Sequence, residues 1–184
     1  MVLYVMLRAH PMYGQAEYTA IQKLDLQAGG SFSIGRSNYL PWDTQGNPAP
    51  LSDLTRKVNL LGGGAYLAAD FRPHIGVEFN FHHLNGSGNG GKQTTYEVGG
   101  RYILTRRYRF IPYGRVSYGR GVYDYPSGSA TLSFNLMGIG GGLDYHLSRS
   151  INLRADYEWQ KWINVPLRTP NPQALTIGVA YHFH

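Results

Sequence analysis

The chain has 184 residues, a length typical of a single domain. It contains no cysteine, so a disulfide framework, a zinc–thiolate site and a cysteine nucleophile are excluded. Charged residues are only 15% of the chain, whereas glycine and tyrosine are abundant at 24 and 15 residues. Because no run of about 18 apolar residues exists, the sequence excludes a membrane-spanning helix and favours a glycine- and tyrosine-rich β protein.

The formal net charge is +6, and 13 of the 17 basic residues are arginine. A basic balance can indicate nucleic-acid binding. The sequence contains no helix-turn-helix pattern, zinc-finger spacing or RNA-reading signature, so we expect no nucleic-acid partner.

The N-terminal residues 1–16 resemble a secretory signal. An apolar stretch, Met1–Leu7, precedes Gly14-Gln15-Ala16, which places small residues where a signal peptidase reads. The stretch is short, it ends at Arg8, and no basic residue precedes it. We therefore interpret residues 1–16 as a signal-peptide-like or disordered segment, and residues 17–184 as the β domain.

From Leu24 onward, apolar and polar residues alternate, as in strands with two different faces. In Ile151–Gln160 every odd-numbered residue is apolar and every even-numbered residue is polar. The pattern predicts eight strands: Leu24–Arg36, Val58–Phe71, Ile75–His82, Tyr96–Leu104, Phe110–Tyr123, Leu132–Leu147, Ile151–Gln160 and Leu175–Phe183.

The connections between these strands alternate in length. Short ones are predicted at 72–74, 105–109 and 148–150, and longer ones, rich in glycine, proline, asparagine and serine, at 39–57, 85–93, 124–130 and 163–173. This alternation is typical of antiparallel hairpins that have tight turns at one end and loops at the other.

The polar face of the strands carries many small residues and charges of both signs. A soluble barrel would turn its apolar face inward, but a narrow lumen needs small side chains, and buried charges must be paired. We therefore predict apolar residues toward lipid and this lumen charge network: Glu78, Glu97, Arg101, Arg115, Asp144, Arg154, Asp156 and Glu158.

Strand length supports a membrane location, because a membrane strand needs about 9–11 residues and most of the predicted strands reach that. Amphipathic aromatic rings favour the membrane–water interface. We predict interfacial positions for Tyr96, Tyr118, Tyr145, Tyr157, Trp159, Tyr181 and Phe183.

Several segments resemble a known family: the Gly138–Tyr145 strand, the Pro112-Tyr113 strand opening and the terminal Thr176–Phe183 strand. They are similar to the small eight-stranded outer-membrane β-barrels, which include the transmembrane domain of outer membrane protein A and its short relatives. One departure is His184, because the family usually ends on the aromatic residue.

This resemblance implies an all-β, eight-stranded antiparallel up-and-down transmembrane β-barrel in the bacterial outer membrane. It implies a monomer without a cofactor, surrounded by membrane lipid and lipopolysaccharide. It also implies that the barrel-insertion machinery reads the terminal strand.

The candidate catalytic residues are His146, Ser148 and Glu158, which resemble the triad of lipid A deacylases. Glu158 follows Ser148 by ten residues and lies some eight residues along the next strand, roughly 25 Å away, so we expect no triad. His82 and His83 point to opposite faces and cannot chelate one metal together. No catalytic or metal-binding residue is therefore predicted.

Basic residues occur at both ends of the predicted barrel, where they would either meet anionic lipid head groups or be solvated loop charges. On the short-turn side they are Arg72, Arg106, Arg107, Arg109 and Arg149. On the long-loop side they are Arg36, Arg56, Lys57, Lys92, Lys161 and Arg168.

The sequence thus predicts a non-enzymatic outer-membrane barrel with a structural or surface-interaction role carried by its extracellular loops. Two alternatives remain at this point: a narrow pore or small-molecule transport barrel, and a lipid A-modifying enzyme.

Overall fold

The structure, a computed structural model, describes residues 24–38, 57–87, 91–106, 109–125, 131–165 and 169–183. The signal-like segment, residues 39–56 of the longest predicted loop, and the basic residues Arg56, Arg107 and Arg168 lie outside these residues. The described chain is all-β, with no helix long and apolar enough to cross a membrane. Its eight strands are β1 (Asp25–Ser37), β2 (Val58–Arg72), β3 (Ile75–Gly86), β4 (Lys92–Ile103), β5 (Phe110–Asp124), β6 (Thr131–His146), β7 (Ile151–Trp162) and β8 (Gln173–Phe183).

The strands form a closed barrel in which each one pairs with the next along the chain, always antiparallel. β1 and β8 complete the closure, and their pairing runs from Leu26 opposite Phe183 to Arg36 opposite Gln173. A closed sheet has no edge, so the barrel meets the requirement that backbone groups in lipid find their partners within the protein. The predicted fold class is confirmed.

Two strands extend furthest beyond their predicted ends. β3 continues past His82 to Gly86, and β4 begins at Lys92 instead of Tyr96, so both ends of the predicted 85–93 loop belong to the paired wall. The alternation signal fades in Gln93-Thr94-Thr95 because the outward residue is polar there. Gln93 and Thr95 are nevertheless buried inside the barrel.

The apolar face of the strands forms the outer surface of the barrel. Val98, Val116 and Ile177 are 58–61% exposed, and so many exposed apolar side chains would be unfavourable in water. The polar residues face the lumen and are buried. This arrangement is the reverse of a soluble barrel and matches the orientation predicted from the small residues of the polar face.

Glycines on the inner face make room for the charged side chains. A Cβ atom on Gly138 would collide with the carboxylate of Glu158 and the hydroxyl of Ser117. On Gly142, a Cβ would lie 2.6 Å from the hydroxyl of Tyr113. Glycine at these two positions therefore leaves the space that the lumen side chains occupy.

The orientation of the two faces can be tested with one cation at three positions. Leu153→Arg and Val179→Arg place a cation on the outer face, where it costs roughly 2–4 kcal/mol in the bilayer centre. We expect both to lower the folding yield in lipid vesicles, measured as the heat-modifiable fraction on gels.

The control places the same cation on the inner face, as Gln160→Arg. Gln160 is buried in the lumen and its amide donates to Glu97, so an arginine there meets carboxylates and a smaller loss is expected. Equal yields for all three variants would contradict the assignment of the faces.

Candidate functional site

The centre of the lumen is an ion-pair network built on Glu78 of β3. Three arginines, from β4, β5 and β7, donate to its carboxylate. Arg154 Nη1 lies 2.6 Å from Oε2, Arg115 Nη1 lies 2.7 Å from Oε1, and Arg101 Nη1 lies 3.3 Å from Oε2. All three arginines project inward because each alternates along its own strand with lipid-facing residues.

Further carboxylates surround these arginines. Asp144 binds Arg101 at 2.7 Å and Arg154 at 2.8 Å. Arg115 reaches Asp156 and Glu158, each at 2.8 Å, and Arg101 reaches Asp70 at 3.3 Å. The arginine side chains are at most 4% exposed. Seven of the eight predicted network residues are thus joined by ion pairs, whereas Glu97 is bound differently.

Two tyrosine rings belong to the same network, and sequence reasoning did not assign them to it. The guanidinium carbon of Arg154 lies 4.0 Å from the centre of the Tyr66 ring, and that of Arg101 lies 4.3 Å from the Tyr113 ring. The Tyr113 hydroxyl donates to Asp156 at 2.8 Å. A tyrosine in an outer-membrane strand suggests a position at the membrane interface. These two tyrosines instead occupy inward positions in the alternation of their strands.

Glu97 lies above the arginines, on the side of the long loops. Ser117 Oγ donates to its Oε2 at 2.7 Å, and Gln160 Nε2 donates to its Oε1 at 2.7 Å. Ser117 also lies 3.2 Å from Glu158 Oε1. His82 joins them: the ligand atoms of His82, Glu97 and Glu158 all lie within 4.8 Å of one another, and all three residues are buried. The sequence analysis identified no second metal ligand near His82.

Apolar clusters lie at both ends of this polar interior. The loop-end cluster, our name for the larger one, fills the lumen above Gln160 with Leu60, Leu84, Tyr123, Tyr125, Leu136 and Trp162. The smaller cluster lies at the turn end and consists of Ile103, Ile111 and Tyr113. Ile103, the exception in the alternation of β4, therefore faces inward and is fully buried.

At the turn end, Arg106 binds two carboxylates of the barrel itself. Its guanidinium donates to Asp25 at 2.9 Å and to Asp70 at 2.6 Å, because both carboxylates lie at the strand ends beside its turn. His182 also contacts Asp25. Arg106 therefore closes the network from below.

The candidate triad is not assembled. His146 Nδ1 hydrogen-bonds Asn152 Oδ1 at 2.6 Å, and Ser148 Oγ accepts from the backbone N–H of Ile151 at 3.1 Å. Glu158 lies six residues beyond Asn152 along β7, which is roughly 20 Å. These three residues have no shared site.

The predicted interfacial aromatics lie on the outer surface in two groups. Six of the seven are exposed, and Tyr145 is half-buried against Phe110, with ring centres 4.8 Å apart. Tyr145, Tyr181 and Phe183 lie toward the turn end, whereas Tyr96, Tyr118, Tyr157 and Trp159 lie toward the loop end.

Comparison with known proteins now identifies the fold family. Residues 9–183 match the model of the outer membrane protein beta-barrel domain family. The chain belongs to this family. It is therefore a protein of the bacterial outer membrane, with transmembrane β-strands. A search of curated proteins gives no match.

Solved structures of low identity share the barrel. Neisserial surface protein A has a TM-score of 0.65 at 12% identity, with 86% of this chain and 97% of that chain covered. OprG from Pseudomonas aeruginosa has a TM-score of 0.58 at 16% identity, covering 88% and 96%. Ail of Yersinia pestis, solved with the heparin analogue sucrose octasulfate, has a TM-score of 0.57 at 16% identity, covering 87% and 99%. At identities this low, the structural likeness establishes a common fold and nothing more.

The network makes an asymmetric prediction about stability. Arg154→Met leaves Glu78 and Asp144 short of a cation, and breaking a buried pair in this way costs about 3–5 kcal/mol. Glu78→Gln removes an acid from a lumen with more acids than arginines, so we expect a smaller loss. Urea unfolding in lipid vesicles measures both, with exposed Arg149→Gln in the turn as the control. A larger loss for Glu78→Gln would contradict the charge balance.

Proposed function

We propose that this barrel is a non-enzymatic surface-interaction protein that presents its long loops and its loop-end rim from the outer membrane. The observation that carries the proposal is the filled lumen. Charged side chains occupy the centre, and apolar clusters occupy both ends of the described interior. Lipid occupies the outside of the wall, so recognition is left to the loop end.

The loop-end rim is basic, which favours an acidic partner. Its described basic residues are Arg36, Lys57, Lys92, Arg120 and Lys161, and the one described acid beside them is Asp124. Arg36 and Lys57 line a cleft of about 360 Å³ together with Trp159 and Gln173. An aromatic ring in the same cleft as two cations suits a sulfated or phosphorylated sugar, including the head group of lipopolysaccharide.

A monomer inserted by the barrel-insertion machinery fits this role. β8 ends with Tyr181 and Phe183 on the outer face, where an insertion factor would meet them. The closed pairing of β1 with β8 leaves no strand edge for a second copy.

A transport role is the second candidate, and the loop-end cluster favours it. Apolar and aromatic side chains line the lumen there, directly below the loops. Such a surface suits a small hydrophobic compound that enters when the cluster rearranges, and uptake of a hydrophobic dye by protein-containing vesicles would support it.

Acidic-partner binding can be tested with sucrose octasulfate as the probe. Arg36→Gln with Lys57→Gln should weaken calorimetrically measured binding by about thirtyfold, since two charge contacts worth on the order of 1 kcal/mol each are lost. The control removes a cation from the other end of the barrel, as Arg149→Gln. Equal binding by both proteins would contradict the proposed rim site.

Loop presentation can be tested by deleting Pro41 to Ser52. Ser37 and Val58 pair directly, so the wall can close over a shorter connection, and we expect an intact heat-modifiable barrel. Binding to the acidic probe or to lipopolysaccharide should fall. A deletion that abolishes folding would show that the segment belongs to the wall.

The filled lumen predicts a barrel without a wide channel. Planar-bilayer recordings should show no stable conductance of porin size, because eight strands leave room only for side chains. Large and stable conductance steps would overturn the closed lumen and support the transport role.

A further inference from the structure

The described lumen contains more acids than bases. Seven inward carboxylates (Asp25, Asp70, Glu78, Glu97, Asp144, Asp156 and Glu158) face only four arginines: Arg101, Arg106, Arg115 and Arg154. Three negative charges are therefore left without an arginine. Because an uncompensated charge buried in protein costs several kcal/mol, the interior must take up cations or protons.

The excess is greatest in the layer above the arginines. Glu97 is 1% exposed, and its described partners, Ser117 and Gln160, are neutral. Glu158 is 2% exposed and shares its one arginine, Arg115, with Glu78 and Asp156. Glu97 and Glu158 thus lie side by side, and the one arginine that binds Glu158 also binds two other carboxylates.

His82 supplies the third group of this layer. It is 4% exposed, and its ring makes no hydrogen bond with another described residue. Its ligand atom lies within 4.8 Å of those of Glu97 and Glu158. A buried imidazole that faces two carboxylates has the composition of a three-ligand metal site.

We propose that His82, Glu97 and Glu158 bind one divalent transition-metal ion of the zinc class inside the barrel. Imidazole and carboxylate ligands suit zinc, whereas calcium and magnesium prefer oxygen-only shells. Three protein ligands leave a fourth position in a tetrahedral shell, and Ser117 Oγ lies at this face of the cluster. The ion also neutralises two of the three excess charges.

The surroundings are arranged to hold these ligands in place. Gln160 and Ser117 bind Glu97, and Arg115 binds Glu158, which fixes the direction of both carboxylates. Glycines leave the required space: a Cβ on Gly64 would lie 2.7 Å from His82 Cδ2. The loop-end cluster lies above, so the ion would enter while the barrel folds.

The competing state carries protons instead of a metal. Two adjacent carboxyl groups can share one proton without any ion. Only the metal-bound state retains zinc, and only in that state does the retained zinc depend on His82.

The test measures zinc retained by the full chain folded in vesicles with Zn²⁺ and then passed over a chelating resin. We expect about one Zn²⁺ per chain in the unmodified protein. His82→Gln and Glu97→Gln should each lose nearly all of it. Glu97→Gln removes an uncompensated charge, so it should fold with or without zinc.

The matched control is His83→Gln. His83 is the adjacent residue, but it faces outward and hydrogen-bonds Thr94 at 2.9 Å, so this variant should retain its zinc. Folding with zinc should also raise the temperature of heat modification in the unmodified protein and in His83→Gln only. The proposal is overturned if the folded protein retains no zinc, or if all four proteins retain equal amounts. Equal amounts would indicate adventitious zinc on His146 or His182, because neither lumen substitution would remove it.

Discussion

The whole structure depends on one constraint: a backbone in lipid must satisfy its hydrogen bonds within the protein. Pairing of β1 with β8 meets it by closing the sheet. Closure with eight strands leaves a narrow interior, and this narrow interior determines which residues can face inward. Inward positions hold either glycine or side chains that bind one another, and outward positions carry the large apolar residues that lipid solvates.

Much of this could be predicted from the sequence. The number of strands follows from a period of two, and so does the separation of residues such as Leu153 and Arg154 onto opposite faces. The small residues and paired charges of the polar face then indicate that this face is the inner one. The identity of each ion pair does not follow, because it depends on how far neighbouring strands are staggered around the barrel. Glu78 binds arginines from three other strands, and no spacing in the sequence reveals that. Tyr66 and Tyr113 were missed because an aromatic residue suits both lipid and a guanidinium.

The candidate site shows the same limit. His82 lies next to His83 in the sequence, but its neighbours in space come from β4 and β7, 15 and 76 residues further along the chain. Function is harder still to predict, since one barrel fold supports many roles and the wall residues are occupied by lipid and by internal charge pairing. Arg106 illustrates how a residue that suits a lipid head group by position can also bind carboxylates of the barrel.

The ion-pair network also constrains how the protein reaches its folded state. Arg154 and Glu78 are 76 residues apart, Arg106 and Asp25 are 81 apart, and Ser33 and Thr176 are 143 apart. A hairpin formed early brings none of these pairs together, so the network is complete only when distant strands meet. Contacts between residues this far apart in the chain make assembly slow. Completion of the network and joining of the first strand to the last then occur in one cooperative event, and so does their separation when the barrel comes apart.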